Sequence, residues 1–307
     1  MLGWYPGHMN KARRQIKDAL PEIDVIIEVL DARLPYSSAN PMLNELRGNK
    51  PCLKILSRDD LADPALTKRW IKHFEAQHET RAITVTTTES RTLKQIPKIV
   101  KEMAGQVRRD RPVRVMVMGI PNVGKSTLIN SLAGKKVAKV GDEPAVTKRQ
   151  QKIALPSGIA IIDTPGVLWP RIEDQNSAYR LATSGAIRNT AIDYLDIAMF
   201  AANELLIRYP QPLATRYKMK ELPETPEAVL EIIASKRGGL KAGGQIDWHK
   251  ASEVLLNDLR GGHMGRLTLE VPEDIPEPVA EEDEGDIPAE EANGDLSAQS
   301  EGAPKAE

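Results

Sequence analysis

The chain has 307 residues, 41% hydrophobic and 28% charged, with a formal net charge of -1. That places it in the globular class, with length for one large domain or two ordinary ones, each with its own core. The single cysteine, Cys52, lies within the apolar run Cys52-Leu53-Lys54-Ile55-Leu56; it excludes an internal disulfide framework and reads as a small buried hydrophobe. The N-terminal residues carry no apolar run of signal-peptide length and no run is long enough to span a bilayer, so the expected compartment is the cytoplasm, without membrane attachment. Charge is divided unevenly: from Glu270 to Glu307 fourteen acids face one lysine, a net of -13, which leaves +12 on the body. A basic body suits a phosphate-rich partner such as RNA, and the acidic tail reads as a solubilising appendage or as a segment that folds back to limit non-specific RNA binding.

In chain order, Trp4-Tyr5-Pro6-Gly7-His8-Met9 crowds two aromatics, a turn and a histidine into what is expected to be a packed or functional loop. From Asn10 the spacing of Ala12, Ile16 and Leu20 predicts an amphipathic helix with Lys11, Arg13, Arg14 and Lys17 exposed. Strands are predicted at Val25 to Leu30, Leu53 to Leu56 and Ala82 to Val85, with helices from near Pro64 and from Leu93 to Met103. Apolar runs of this kind suit a parallel sheet covered on both faces. Val113 to Met118 reads as a further buried strand and leads into Gly119-Ile120-Pro121-Asn122-Val123-Gly124-Lys125-Ser126-Thr127, a full G-x-x-x-x-G-K-S match. Glycines let backbone N–H groups curl around phosphates, Lys125 reaches the terminal ones, and Ser126 is placed to hold magnesium at the start of a helix from Lys125 to Ala133.

A strand from Gly158 to Ile162 ends at Asp163-Thr164-Pro165-Gly166, a D-x-x-G motif in which Asp163 can reach Mg2+ through water and the Gly166 N–H can sense a γ-phosphate. Thr147, between the two motifs, is the candidate switch threonine on magnesium. The best guanine-reading match, Ser57-Arg58-Asp59-Asp60-Leu61, precedes both, where N-K-x-D ordinarily follows them. Strand and helix alternate to about residue 170, which predicts an α/β, doubly wound, mostly parallel sheet. Beyond Asp174, Ser177 to Gly185, Thr190 to Ile207, Pro226 to Lys236 and Asp247 to Arg260 carry apolar residues at helical spacing, and Gly238 to Gly244 reads as a flexible connection. The expected organisation is a GTPase domain over 1–172, a small all-helical domain over 173–269 and a disordered acidic tail over 270–307.

This motif order resembles the circularly permuted P-loop GTPases. Within them the chain is similar to the ribosome biogenesis GTPase A family, through Tyr5-Pro6-Gly7-His8-Met9, Ala251 to Asp258 and Gly265-Arg266-Leu267. The resemblance implies a permuted GTPase domain with a helical RNA-binding domain: a cytoplasmic, monomeric enzyme that binds GTP and GDP, joins the late-assembling large ribosomal subunit and leaves after hydrolysis. It also implies His8 as the group that orients the attacking water, since Val167 stands where glutamine is common, and Asn122 as a contributor to a K+ site near the phosphates. Lys125 and Gly166 complete the expected catalytic set. Asp60 is expected to accept two hydrogen bonds from guanine, Arg58 to cover the ring, Ser57 to replace the usual asparagine, and Thr86 and Thr87 to stand where the base carbonyl is contacted. Lys11, Arg13, Arg14, Lys236, Arg237 and Lys241 are candidate RNA contacts. The alternative kept open is an RNA-binding assembly factor in which nucleotide mainly stabilises the fold.

Overall fold

The computed structural model describes residues 7–86, 90–105, 111–138, 151–166, 168, 172, 174–187 and 193–275, with the side chains of the first helix described from Arg13 onward. The described residues to Ile275 belong to one compact unit.

At its centre is a six-stranded sheet formed by β1 (Val25–Asp31), β2 (Cys52–Ser57), β3 (Thr80–Val85), β4 (Val113–Met118), β5 (Gln151–Leu155) and β6 (Ile159–Asp163). Its order is β3-β2-β1-β4-β6-β5, and every pairing is parallel except β5 against β6. Successive residues of β1 point to opposite faces, and both faces are covered. Val25, Ile27 and Val29 join the core built with α4 (Ser90–Met103) and α5 (Lys125–Ala133). Ile26 and Leu30 face α1 (Gly7–Ala19), α2 (Pro41–Arg47) and α3 (Pro64–Glu75). This two-sided burial explains the unbroken Val/Ile/Leu runs.

After β1, β2 and β3 step to one side, the chain returns through α4 to place β4 on the other side of β1. Order therefore reverses between β1 and β4, and the crevice beyond the carboxyl ends of those strands is where an open α/β sheet binds ligands. The glycine loop follows β4 at this point.

A second core gathers α6 (Gln175–Ser184), α7 (Tyr194–Arg208), α8 (Pro210–Tyr217), α9 (Pro226–Arg237) and α10 (Trp248–Arg260), together with Leu34 from the segment after β1. Asp174, Asp193, Thr225 and Asp247 cap the starts of α6, α7, α9 and α10 through side-chain oxygens that accept backbone N–H groups.

Several sequence expectations change. The first helix starts at Gly7, so His8 and Met9 belong to its first turn rather than to a loop ahead of it. β5 is an added edge strand, with Ile153 and Leu155 buried and Lys152 and Ala154 exposed; this half-buried alternation replaces the fully apolar runs of the inner strands. α2 and α8 are short helices begun by proline, and Gly238–Gly244 holds a 3-10 turn closed by a Leu240–Ile246 bridge. The first residues of the tail expected from 270 are ordered: Glu270 is buried, and Pro272–Asp274 forms a 3-10 turn. Among the described residues no helix is long and apolar enough to cross a membrane.

Candidate nucleotide site

Gly119 leaves β4 with φ 145, and a Cβ there would lie 2.6 Å from the Val29 carbonyl oxygen; only glycine lets the loop pass this close to β1. Gly124, at φ 102, turns the chain into α5. Pro121 and Val123 are buried, whereas Asn122, Ser126 and Thr127 are partly exposed at the helix N-terminus, where backbone N–H groups and the helix dipole favour anions. Lys125 is buried and its Nζ donates to the Ile120 carbonyl (2.6 Å). Burial pushes this ammonium down to about 8, against an opposing pull from Asp163.

The D-x-x-G turn lies against the phosphate loop. A Cβ on Gly166 would stand 2.9 Å from both N and Cα of Pro121 and 3.0 Å from Lys125 Nζ. Thr164 Oγ1 donates to the Val117 carbonyl (2.7 Å), which ties the turn to β4. Asp163 is buried at the end of β6, and burial pushes its carboxyl up to about 6 against the attraction of Lys125 and the Thr164 N–H. Neither carboxylate oxygen makes a hydrogen bond of ordinary geometry. A buried acid without such partners is costly unless a cation or bound water completes it. The buried Asp163 carboxylate therefore fits a residue that holds magnesium.

At the other end of the crevice, Ser57 closes β2. Its hydroxyl lies 2.8 Å from the carbonyl oxygens of Leu30 and Val123, one proton shared between β1 and the phosphate loop. Ser57 thus braces the end of β1 against the phosphate loop. Arg58 adopts φ 57, and its guanidinium donates to Asp31 (3.1 Å) and to the Asn122 carbonyl (2.9 Å). Asp60 is exposed within the 3-10 turn Asp59–Leu61, and Thr86 follows β3. Together Arg58, Asn122, Val123 and Ser184 line one cleft.

Asp31 was not among the expected site residues. It ends β1 fully buried and receives Arg33 Nε (3.0 Å) and NH2 (2.8 Å) besides Arg58. Burial acts to raise its pKa, but the two guanidiniums outweigh it and hold the carboxyl at about 2. The only sequence signal was its position at the end of an apolar strand, ahead of Ala32-Arg33.

The structure thus brings Ser57, Arg58, Asn122, Lys125, Asp163 and Gly166 into one crevice. Asp60 lies on the turn beside it, on the residues that follow Arg58. His8 lies in the first turn of α1 with its side chain outside those described. Thr87, Thr147 and Val167 also lie outside the described residues.

The mostly parallel α/β sheet, the phosphate loop at its switch point and the D-x-x-G turn packed on that loop define a P-loop GTPase. The profile of the 50S ribosome-binding GTPase family matches residues 114–224. Ribosome biogenesis GTPase A of Bacillus cereus is 44% identical over 287 residues, 91% of this chain and 97% of that protein. That of Thermotoga maritima is 35% identical over 282 residues, 92% of this chain and 98% of that one. The solved structure of GNP-bound YlqF from T. maritima is 31% identical, with a TM-score of 0.61, and covers 86% of this chain and all of that one. The chain belongs to the ribosome biogenesis GTPase A family and is a GTP hydrolase.

Proposed function

We propose that this GTPase is circularly permuted, binds the late-assembling large ribosomal subunit in its GTP form and is released on hydrolysis. The observation that carries this reading is the approach of Gly166 to Pro121 and Lys125. It sets a γ-phosphate sensor against the phosphate loop only a short link ahead of α6, the first helix of the second core. Loss of the γ-phosphate removes the contact at Gly166, and the helical region is next along the chain. In a permuted chain, the base-reading turn after β2 precedes the phosphate loop in sequence while sharing its crevice. The helical domain over 173–269 serves as the RNA- and ribosome-contacting part, with Lys236, Arg237 and Lys241 among its candidate contacts, and the compartment is the cytoplasm.

Ser126 and Asp163, with Thr147, would hold Mg2+, which neutralises charge on the β- and γ-phosphates during transfer. Lys125 contributes a second positive charge from the loop. Asn122 contributes to a K+ site, and His8 orients the attacking water. Asp60 reads guanine through its two acceptor oxygens, with Arg58 covering the ring.

The test is GTP hydrolysis by the parent chain and by His8→Ala, in K+ and in Na+, with and without purified large subunits. The expected result is stimulation by subunits, greater in K+, and a loss of about 10²-fold or more in His8→Ala with GDP affinity retained. Equal rates for the two chains would remove His8, and rates unmoved by subunits would remove the ribosome as activator.

A further inference from the structure

We infer that the segment after α10, through Arg266, is the positioning element for the guanine-reading turn. The turn is a single 3-10 loop, Asp59–Leu61, entered through Arg58 in the left-handed region at φ 57. Three carbonyls of the turn and of Ala62 just after it accept donors from residues about 200 positions away, that of Asp59 in addition to the Ala62 N–H (3.2 Å). Arg266 NH2 donates to the Asp59 carbonyl (2.6 Å) and Arg266 Nε to the Ala62 carbonyl (2.7 Å), while Leu267 N–H donates to the Leu61 carbonyl (2.9 Å). The same guanidinium lies 3.6 Å from the Asp59 carboxylate. Immediately beyond the turn, Asp63 N–H donates to Thr268 Oγ1 (3.0 Å).

Asp60 sits between the two carbonyls that Arg266 spans, and it is the exposed member of the turn. The Asp59 carbonyl lies in the peptide plane before Asp60, and the Leu61 N–H bond to the Arg58 carbonyl (2.9 Å) holds the plane after it. The bonds to the Leu61 and Ala62 carbonyls anchor the next two planes, so the backbone that aims the Asp60 side chain is held from both sides. The fit is close: a Cβ on Gly262, at φ 71, would lie 2.6 Å from Leu61 Cδ2. The two oxygens of Asp60 can hold both the ring N–H and the exocyclic amine of guanine only while the turn stays in one orientation. The clamp therefore contributes selectively to the part of nucleotide affinity that comes from the base. It belongs to the chain that leaves the helical region, so nucleotide release depends on the conformation of that region.

The inference rests on Asp60 reading the base, and the experiment separates the two. Competition binding of GDP and IDP, which lacks the exocyclic amine, would be measured on the full chain and on Arg266→Ala, Arg266→Lys, Asp60→Ala and the Arg266/Asp60 double variant. Arg266→Ala is expected to weaken GDP about tenfold and IDP less, so that the GDP/IDP preference falls, with the double variant falling no further than Asp60→Ala alone. Arg266→Lys, which keeps the charge but cannot span both carbonyls, should lie between it and the parent. Equal weakening of both nucleotides, no weakening, or additive loss in the double variant would overturn the clamp. A parent-like preference in Asp60→Ala would instead remove the base-reading assignment, and the clamp with it.

Discussion

At Gly166 one methyl group has nowhere to go. The atoms it would meet at 2.9 Å belong to the Pro121 backbone, which cannot rotate aside as a flexible side chain would. Gly166→Ala is therefore expected to shift the turn off the phosphate loop, lowering stability by about 1–3 kcal/mol. Because the displaced N–H is the one proposed to sense the γ-phosphate, hydrolysis should fall at least about tenfold, as loss of a single oriented donor does. Parallel measurement of the urea midpoint and the single-turnover rate checks both, and a parent-like rate would mean that the turn does not act at this distance. Such residues were legible because their spacing is local: Gly119, Gly124, Lys125, Asp163 and Gly166 each fall within a short motif. Asp31 was not legible. Its role comes from Arg33 and Arg58 converging on one buried carboxylate, and the second of those partners arrives from the next strand.

Among the elements, the segment beyond α10 carries the most consequence for its length. Glu270 is fully buried and accepts the Tyr36 N–H (2.8 Å), the Ser37 N–H (3.1 Å) and the Ser37 hydroxyl, while Arg180 approaches at 3.8 Å. Burial nevertheless prevails, pushing its carboxyl from 4.5 up to about 7. Between those values the folded chain holds a proton that the unfolded chain releases. The associated stability is fully present below about pH 4.5 and is lost as pH rises through about 7. Glu270→Gln should flatten this slope, and the parent-minus-variant difference in unfolding free energy should change by about 2–3 kcal/mol between pH 5 and pH 8. Urea titrations at the two pH values would test this, and parallel slopes would refute it. Sequence patterning found the inner strands and the long helices, whose apolar periods are unbroken. It passed over β5, where half the residues face solvent, and the short α2 and α8, whose proline starts give too few turns for a period to emerge. It also read Glu270 as the first residue of a solvated acidic run, because its hydrogen-bond donors, Tyr36 and Ser37, lie more than two hundred residues upstream.

On the scale of the molecule, α6 is shared by the two cores, with Ala178 and Leu181 packed in the sheet core and Ala182 in the helical one, and polar contacts add to that seam. Arg260 Nε and NH2 donate to the Thr183 and Ala182 carbonyls at the end of α6, and Arg33 NH1 reaches the Arg260 carbonyl (3.4 Å). Leu269 N–H donates to the Arg33 carbonyl and Trp70 Nε1 to that of Glu270, so the chain leaving the helical region closes back over α3 and the end of β1. The polar part of this joint can exchange partners when α6 shifts, as a nucleotide-driven switch requires. The closing segment should be essential to stability in a way that the acidic residues after it are not. Two truncations separate them: one removing residues 276–307, the other removing 270–307. The second additionally deletes the Glu270 carboxylate, leaves the indole N–H of the buried Trp70 without its acceptor and frees Arg208 from Asp274. Each orphaned buried group costs about 1–3 kcal/mol, so the longer truncation is expected to be less stable than the shorter by at least about 3 kcal/mol. Equal urea midpoints for the two would mean that the segment lies on the body without holding it. The joint would then have to rest on α6, Arg260, Arg33 and the contacts of Arg266, Leu267, Thr268 and Leu269.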